Sequence, residues 1–133
     1  IGEVLGEELL RPTRIYVKVV LNLMRDFNIG GIAHITGGGI TDNLPRIIPK
    51  GYKAVVRRGS WEIPPIFSFL QEKGEISEEE MLRTFNNGIG MILIVRTKES
   101  KEILDRLHSV GQKAFVIGEM EKSERAQEAI QFI

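Results

Sequence analysis

The chain has 133 residues, 42% hydrophobic and 27% charged, with eighteen acidic side chains balanced by eighteen basic ones. That is one globular domain, long enough to bury a core without staples and neither disordered nor coiled-coil in composition. Charge balance and the absence of cysteine exclude a basic footprint for nucleic acid or an anionic membrane, disulfides, thiolate nucleophiles and zinc–thiolate clusters. No apolar stretch approaches the roughly 20 residues of a membrane span, and the first residues lack the basic start and long apolar core of a signal peptide. A cytoplasmic protein is expected. The chain starts at Ile1 rather than Met, so a piece of a longer protein is expected as well.

Residues 1–14 hold a short apolar run and then Arg11-Pro12-Thr13-Arg14, where Pro12 biases Arg11 away from helix. Thr13 is placed to cap a helix in which Tyr16, Val19, Val20, Leu23 and Phe27 recur at helical spacing. Asn28-Ile29-Gly30-Gly31 stops it, and Ile32 to Ile35 reads as a short strand running into Gly37, Gly38 and Gly39. Asn43 to Ile48 reads as a short helix closed by Pro49-Lys50-Gly51, and Tyr52 to Arg57 as a strand. Pro64-Pro65 suit the first turn of a helix over Ile66 to Glu72. Ser77-Glu78-Glu79-Glu80 is a capping box whose acids face the positive helix end, a structural role that suffices for them.

Arg83 to Gly88 is a loop before the most apolar strand, Ile89 to Val95, which interrupts itself only at Gly90 and has the pattern of burial on both faces. Thr97 caps a helix with Ile103, Leu104, Leu107 and Val110 as its stripe, ended by Gly111. Lys113 to Ile117 reads as a further strand and Ser123 to Phe132 as a terminal helix. The order indicates an α/β or α+β layered domain with about four strands.

The glycine run between strand and helix carries the clearest chemical signal. Three glycines allow positive φ and close approach of backbone to a ligand, and a following helix adds free N–H groups and a dipole that favour an anion. A tight turn with no ligand explains the same residues equally well. There is no GxxxxGK[ST], and Asp42 stands where a dinucleotide fingerprint needs glycine. His34 and His108 lack metal-ligand spacing, so no metal site is expected, and Ser68 and Ser109 lack a nucleophile elbow. His108 reads as a surface residue. His34 alternates with Ala33 and Ile35 and faces away from them, either as an edge residue with a backbone partner or as a group donating to a phosphate or substrate oxygen. Arg14, Arg46 and Arg83, with Thr36, Asn43 and Asn86, have the forks and amides that suit phosphates and polar substrate atoms.

Five motifs then occur in order: Pro12-Thr13-Arg14-Ile15-Tyr16, Ala33-His34-Ile35-Thr36-Gly37-Gly38-Gly39, Asn43-Leu44-Pro45-Arg46, Arg83-Thr84-Phe85-Asn86-Asn87-Gly88-Ile89-Gly90-Met91 and Val116-Ile117-Gly118. Together they resemble the C-terminal domain of the phosphoribosylformylglycinamidine cyclo-ligase (aminoimidazole ribonucleotide synthetase) family, over nearly the whole chain up to Gly118. The resemblance implies one domain over residues 1–133: a three-layer α/β/α arrangement with a mixed, partly ferredoxin-like sheet. It implies the purine-biosynthetic step in which ATP and magnesium phosphorylate the formyl oxygen of formylglycinamidine ribonucleotide, an amidine nitrogen closes the imidazole ring and phosphate departs. ATP binding and homodimerisation would belong mainly to an N-terminal domain outside this chain, with the active site in the cleft between the two.

Carried onto these residues, Thr36, Gly37, Gly38 and Gly39 would cradle a phosphate of substrate or nucleotide. Asn43 and Arg46 would shape that site, Arg14 and Asn86 would line the cleft, and His34 is a candidate catalytic group. Asp42 stands where Glu is more usual, Asn87 where an apolar residue or Cys is, and the tail from Glu119 matches no motif. Alone, the chain is expected neither to bind ATP tightly nor to turn over. The competing readings are another ATP-dependent member of the superfamily (selenophosphate synthetase, thiamine-monophosphate kinase or hydrogenase maturation factor) and a non-catalytic phosphate-ligand module.

Overall fold

The computed structural model describes residues 4–124 and 128–133, a mixed α/β fold. After a short helix α1 (Leu5–Leu9) the chain runs irregularly to Tyr16 and enters α2 (Val17–Asp26). Then come β1 (Ile29–His34), α3 (Gly39–Asn43), a 3₁₀ turn (Leu44–Ile47), β2 (Tyr52–Val56), α4 (Pro65–Gly74) and α5 (Glu78–Thr84). The remainder is β3 (Met91–Val95), α6 (Thr97–Ser109), β4 (Gly118–Lys122) and β5 (Ile130–Phe132).

Instead of one mixed sheet of about four strands, the five strands among the described residues form two small sheets. β1 pairs antiparallel with β3, while β2 lies between antiparallel β4 and parallel β5. The core joins them. Ala33, Ile35, Ile40 and Leu44 meet Ala54, Val56, Trp61, Ile89 and Ile92, all buried. At about 1.5–3 kcal/mol for each large apolar side chain removed from water, this cluster is the main term holding the sheets together.

The helix stripe on α2 is as the spacing predicts: Leu23 is buried and Tyr16, Val19, Val20 and Phe27 half-buried, while Val17, Leu21 and Met24 face out. The Arg106 guanidinium of α6 lies 4.7 Å over the Phe27 ring and pairs with Asp26, fastening α6 to the end of α2. Ser77 caps α5 as expected, accepting from the Glu80 N–H at 3.2 Å. The Glu80 carboxylate accepts instead from the Thr84 hydroxyl, so one arm of the expected box is made.

Other expectations are corrected. Neither Thr13 nor Thr97 caps a helix: Tyr16 and Arg96 hold those positions, and no side chain makes the cap bond. Gly30 and Gly31 belong to β1 rather than to a helix stop. A Cβ on Gly31 would stand 3.1 Å from Ile47 and 3.2 Å from Ile94, so only a bare backbone fits comfortably between those side chains. The register also slips between Ile29 and Gly31. Residues of β3 are mostly half-buried, because β3 is an edge strand of a two-stranded sheet.

The predicted strand Lys113–Ile117 is irregular, and the strand is the next segment, Gly118–Lys122. The predicted terminal helix Ser123–Phe132 gives way at its described end to β5, held by Ala54 N–H to Ala129 carbonyl (2.9 Å) and Ile133 N–H to Val56 carbonyl (2.9 Å). The part of that prediction over residues 125–127 lies outside the described residues. Among the described residues no helix is long and apolar enough to cross a membrane.

Candidate functional site

Strand alternation delivers the glycine loop. Ala33 and Ile35 point into the core, Ile35 with 1% of its surface exposed, and leave His34 and Thr36 outward. The chain then turns: the Gly39 N–H donates to the Thr36 carbonyl at 2.9 Å, and Gly38 and Gly39 take φ of +99° and +59°. Buried Asn43 fixes that turn from within, its side-chain amide donating to the carbonyls of Thr36 (3.4 Å), Gly37 (3.1 Å) and Gly39 (2.8 Å). Three carbonyls therefore face inward. The N–H groups of Gly37 and Gly38 have no partner among the described residues.

The three glycines do different things. A Cβ on Gly39 would stand 2.0 Å from the Leu82 carbonyl oxygen, so this residue lets the loop press against the end of α5. On Gly38 it would meet Asp42 at 2.9 Å, whereas around Gly37 nothing lies within 4 Å. The helix that follows is α3, only five residues long, so its dipole is small. Gly37 is the open rim of the loop.

A second asparagine-held loop, Phe85 to Gly90, lies beside it. Asn87 is 4% exposed with φ +50°, a left-handed position that asparagine tolerates better than most residues. Its amide donates to the Met81 carbonyl (2.9 Å) and the Phe85 carbonyl (3.2 Å), and its own carbonyl accepts from Trp61 Nε1 (3.0 Å). Asn87 is thus a lock on the end of α5. Asn86 folds back on itself, its Oδ1 accepting from the Gly88 N–H at 2.9 Å. Gly90 continues the β1–β3 ladder, its carbonyl accepting from the Ile35 N–H at 2.9 Å.

An open groove of about 1490 Å³ brings several of these residues together. Arg14, His34, Thr36, Gly37 and Asn86 line it, and so does Tyr16. Gly38, Gly39, Asn43 and Arg46 do not: the first three form the loop behind its rim, and Arg46 is exposed on the 3₁₀ turn. The charges along the groove are informative. Arg57 pairs with Glu119 (3.5 Å), Lys113 with Glu62 (3.7 Å) and Arg11 with Glu8 (2.9 Å). Arg14 instead meets the neutral Gln112 side chain at 3.5 Å, with no carboxylate partner among the described residues. No group of three or more carboxylate, histidine or cysteine side chains able to hold a metal ion occurs among the described residues.

Residues 2–130 match the sequence family of the AIR synthase related protein, C-terminal domain. The chain belongs to that family. It is 59% identical over 128 residues to the phosphoribosylformylglycinamidine cyclo-ligase of Syntrophus aciditrophicus, covering 96% of this chain and 37% of that protein. It is 53% identical over its full 133 residues to the cyclo-ligase of the same name from Citrifermentans bemidjiense, 38% of that protein. The chain thus spans well under half the length of these curated relatives. Among solved structures, the crystal structure of E. coli HypE, a hydrogenase maturation protein, superposes with a TM-score of 0.70 over 90% of this chain and 36% of that one, at 16% identity. That likeness speaks for the fold alone.

Within this family domain, sequence reasoning missed Tyr16 and Gly90 as parts of the groove wall. Tyr16 fits the helical stripe so well that it reads as core. A glycine inside an apolar strand is the signal that was available, since it marks close approach of another group. Here that group is the Tyr16 hydroxyl, 2.0 Å from where a Gly90 Cβ would stand.

Proposed function

We propose that this chain is the C-terminal part of an ATP-dependent cyclo-ligase that closes the imidazole ring of formylglycinamidine ribonucleotide. In this reading the groove supplies one wall of the active-site cleft. The observation that carries it is 53–59% identity, across 96–100% of this chain, to proteins bearing that name. The likeness to a hydrogenase maturation protein, at 16% identity, concerns the fold and supports no other activity.

Phosphoryl transfer needs chiefly positioning and stabilisation of charge. In the proposed site Arg14 forks onto a phosphate of substrate or nucleotide, and the Gly37 N–H and Thr36 hydroxyl donate beside it. His34 donates to the phosphate or to the substrate oxygen that receives the phosphoryl group. Asn43 acts behind the rim by keeping the loop carbonyls turned away from the anion. Asn86 shapes the cleft floor through its turn, and Arg46 meets charge at the cleft margin. The reading assigns magnesium, and most of ATP binding, to the N-terminal domain of the complete protein. That domain is also assigned the homodimer contact, and the whole enzyme the cytoplasm.

The test is turnover of formylglycinamidine ribonucleotide with ATP and magnesium, followed by phosphate release and appearance of aminoimidazole ribonucleotide. The complete gene product is expected to turn over and the 133-residue chain alone is not. Arg14→Ala in the complete protein is expected to lower kcat/KM about a hundredfold, the size of a lost charge-assisted contact to phosphate. Activity of the complete protein on a different phosphoryl acceptor, with none on this one, sinks the reading.

A further inference from the structure

The imidazole of His34 sits at the groove, exposed, on the outward face of β1, yet it makes no hydrogen bond among the described residues. Nothing polar fixes its orientation. Among the described residues its aromatic neighbour is Tyr16, whose ring stands edge-on to it with centroids 6.0 Å apart and planes at 67°. Such edge-to-face pairs are directional, because the positive edge of one ring seeks the negative face of the other.

Tyr16 is in turn closely confined. It is the cap residue immediately before α2, half-buried, and its carbonyl accepts the Val20 N–H at 3.0 Å. Its hydroxyl lies over Gly90: a Cβ there would be 2.0 Å from Tyr16 Oη and 3.0 Å from Tyr16 Cζ. Gly90 precedes Met91, the register partner of His34 across the β1–β3 ladder. Three segments far apart in sequence therefore meet at one point. The first brings a ring, the second an imidazole, and the third a notch with no side chain.

We propose that Tyr16 is the positioning residue of His34, holding its imidazole at one angle to the groove, and that Gly90 is the notch that lets Tyr16 stand close enough to do so. The inference rests on the cyclo-ligase reading in one respect, that His34 meets the ligand of the groove. The part of Tyr16 that acts is the ring. Its hydroxyl has no partner among the described residues and serves only to fill the notch.

The test uses Tyr16→Leu, Tyr16→Phe and Gly90→Ala in the complete gene product, each alone and with His34→Gln. Misorienting a group that must meet a reacting oxygen costs up to about a hundredfold, so kcat/KM for formylglycinamidine ribonucleotide is expected to fall about ten- to a hundredfold in Tyr16→Leu. Tyr16→Phe restores most of that loss. In the His34→Gln background Tyr16→Leu adds no further loss, because the group it positions is gone. Gly90→Ala behaves like Tyr16→Leu, and adding Tyr16→Phe to it recovers only part of the activity, since removing the hydroxyl takes away the closest clash while Cζ still stands 3.0 Å from the new methyl.

The NMR signals of the His34 ring protons, which feel the Tyr16 ring current, supply a readout independent of turnover. They are expected to shift in Tyr16→Leu and Gly90→Ala and to stay in Tyr16→Phe. Equal proportional losses from Tyr16→Leu with and without His34 would overturn the proposal, as would unmoved His34 signals or a Tyr16→Phe as damaged as Tyr16→Leu. A parent protein with no cyclo-ligase turnover, but with the His34 shift present, would overturn the functional reading and still support the positioning of His34 by Tyr16.

Discussion

Two loops of this domain are built with the same device and end with different surfaces. In the first, buried Asn43 gathers the carbonyls of Thr36, Gly37 and Gly39. In the second, buried Asn87 gathers those of Met81 and Phe85 and receives the Trp61 N–H. In the second loop a Cβ on Gly88 would meet Pro64 and one on Gly90 would meet Tyr16. The first is packed at Gly39 and open at Gly37. An asparagine that turns carbonyls inward is therefore a general way to freeze a loop; whether the loop also offers N–H groups outward depends on what covers its rim. The open space around Gly37, more than the count of glycines, separates a candidate anion site from scaffold.

Substitutions can break that comparison at graded strength. Gly39→Ala should be the most damaging: its φ of +59° disfavours a side chain and its methyl would overlap the Leu82 carbonyl, so a loss of about 3 kcal/mol or more in urea unfolding is expected. Asn43→Ala and Asn87→Ala each strand buried carbonyls, and each is expected to cost about 2–3 kcal/mol. The pair divides on ligand binding. In the complete protein Asn43→Ala should weaken binding of formylglycinamidine ribonucleotide about tenfold, or 1.4 kcal/mol by calorimetry, while Asn87→Ala leaves the affinity of the folded fraction intact. Equal effects of the two on affinity would mean that both loops are scaffold. Gly37→Ala sharpens the contrast from the other side. With nothing within 4 Å of its new methyl, stability should move by less than about 0.5 kcal/mol, yet affinity should fall because the methyl crowds the approach to the backbone.

Legibility in sequence divides along similar lines. Where one face of an element is buried and the other is not, the pattern is visible: the stripe on α2, the alternation of Ala33, His34 and Ile35, and the Ser77 cap all follow from spacing. The glycine loop is legible as a turn, but the partition of work among its three glycines is not, because that depends on Leu82 and Phe85, more than forty residues away. The end of the chain misleads for a physical reason. Lys113 to Ile117 has strand-like composition, yet the strand is Gly118–Lys122, an edge strand whose Glu119, Glu121 and Lys122 are exposed while Met120 packs on the core. β5 has only three residues, too few for any periodicity to register, and exists because β2 offers a free edge to pair with.

The Asn43 clamp has a thermodynamic consequence. A glycine-rich segment ordinarily gives up much conformational freedom when it closes on a ligand, and that loss weakens binding. Here the loop is already closed on its own side chain, so the ordering cost falls within the folding equilibrium of the domain. On the proposed reading, an anion arriving at the rim meets a loop that is already closed. Association should then leave the backbone dynamics of residues 36–39 nearly unchanged, and residence time should depend on the contacts made rather than on a loop that must reopen.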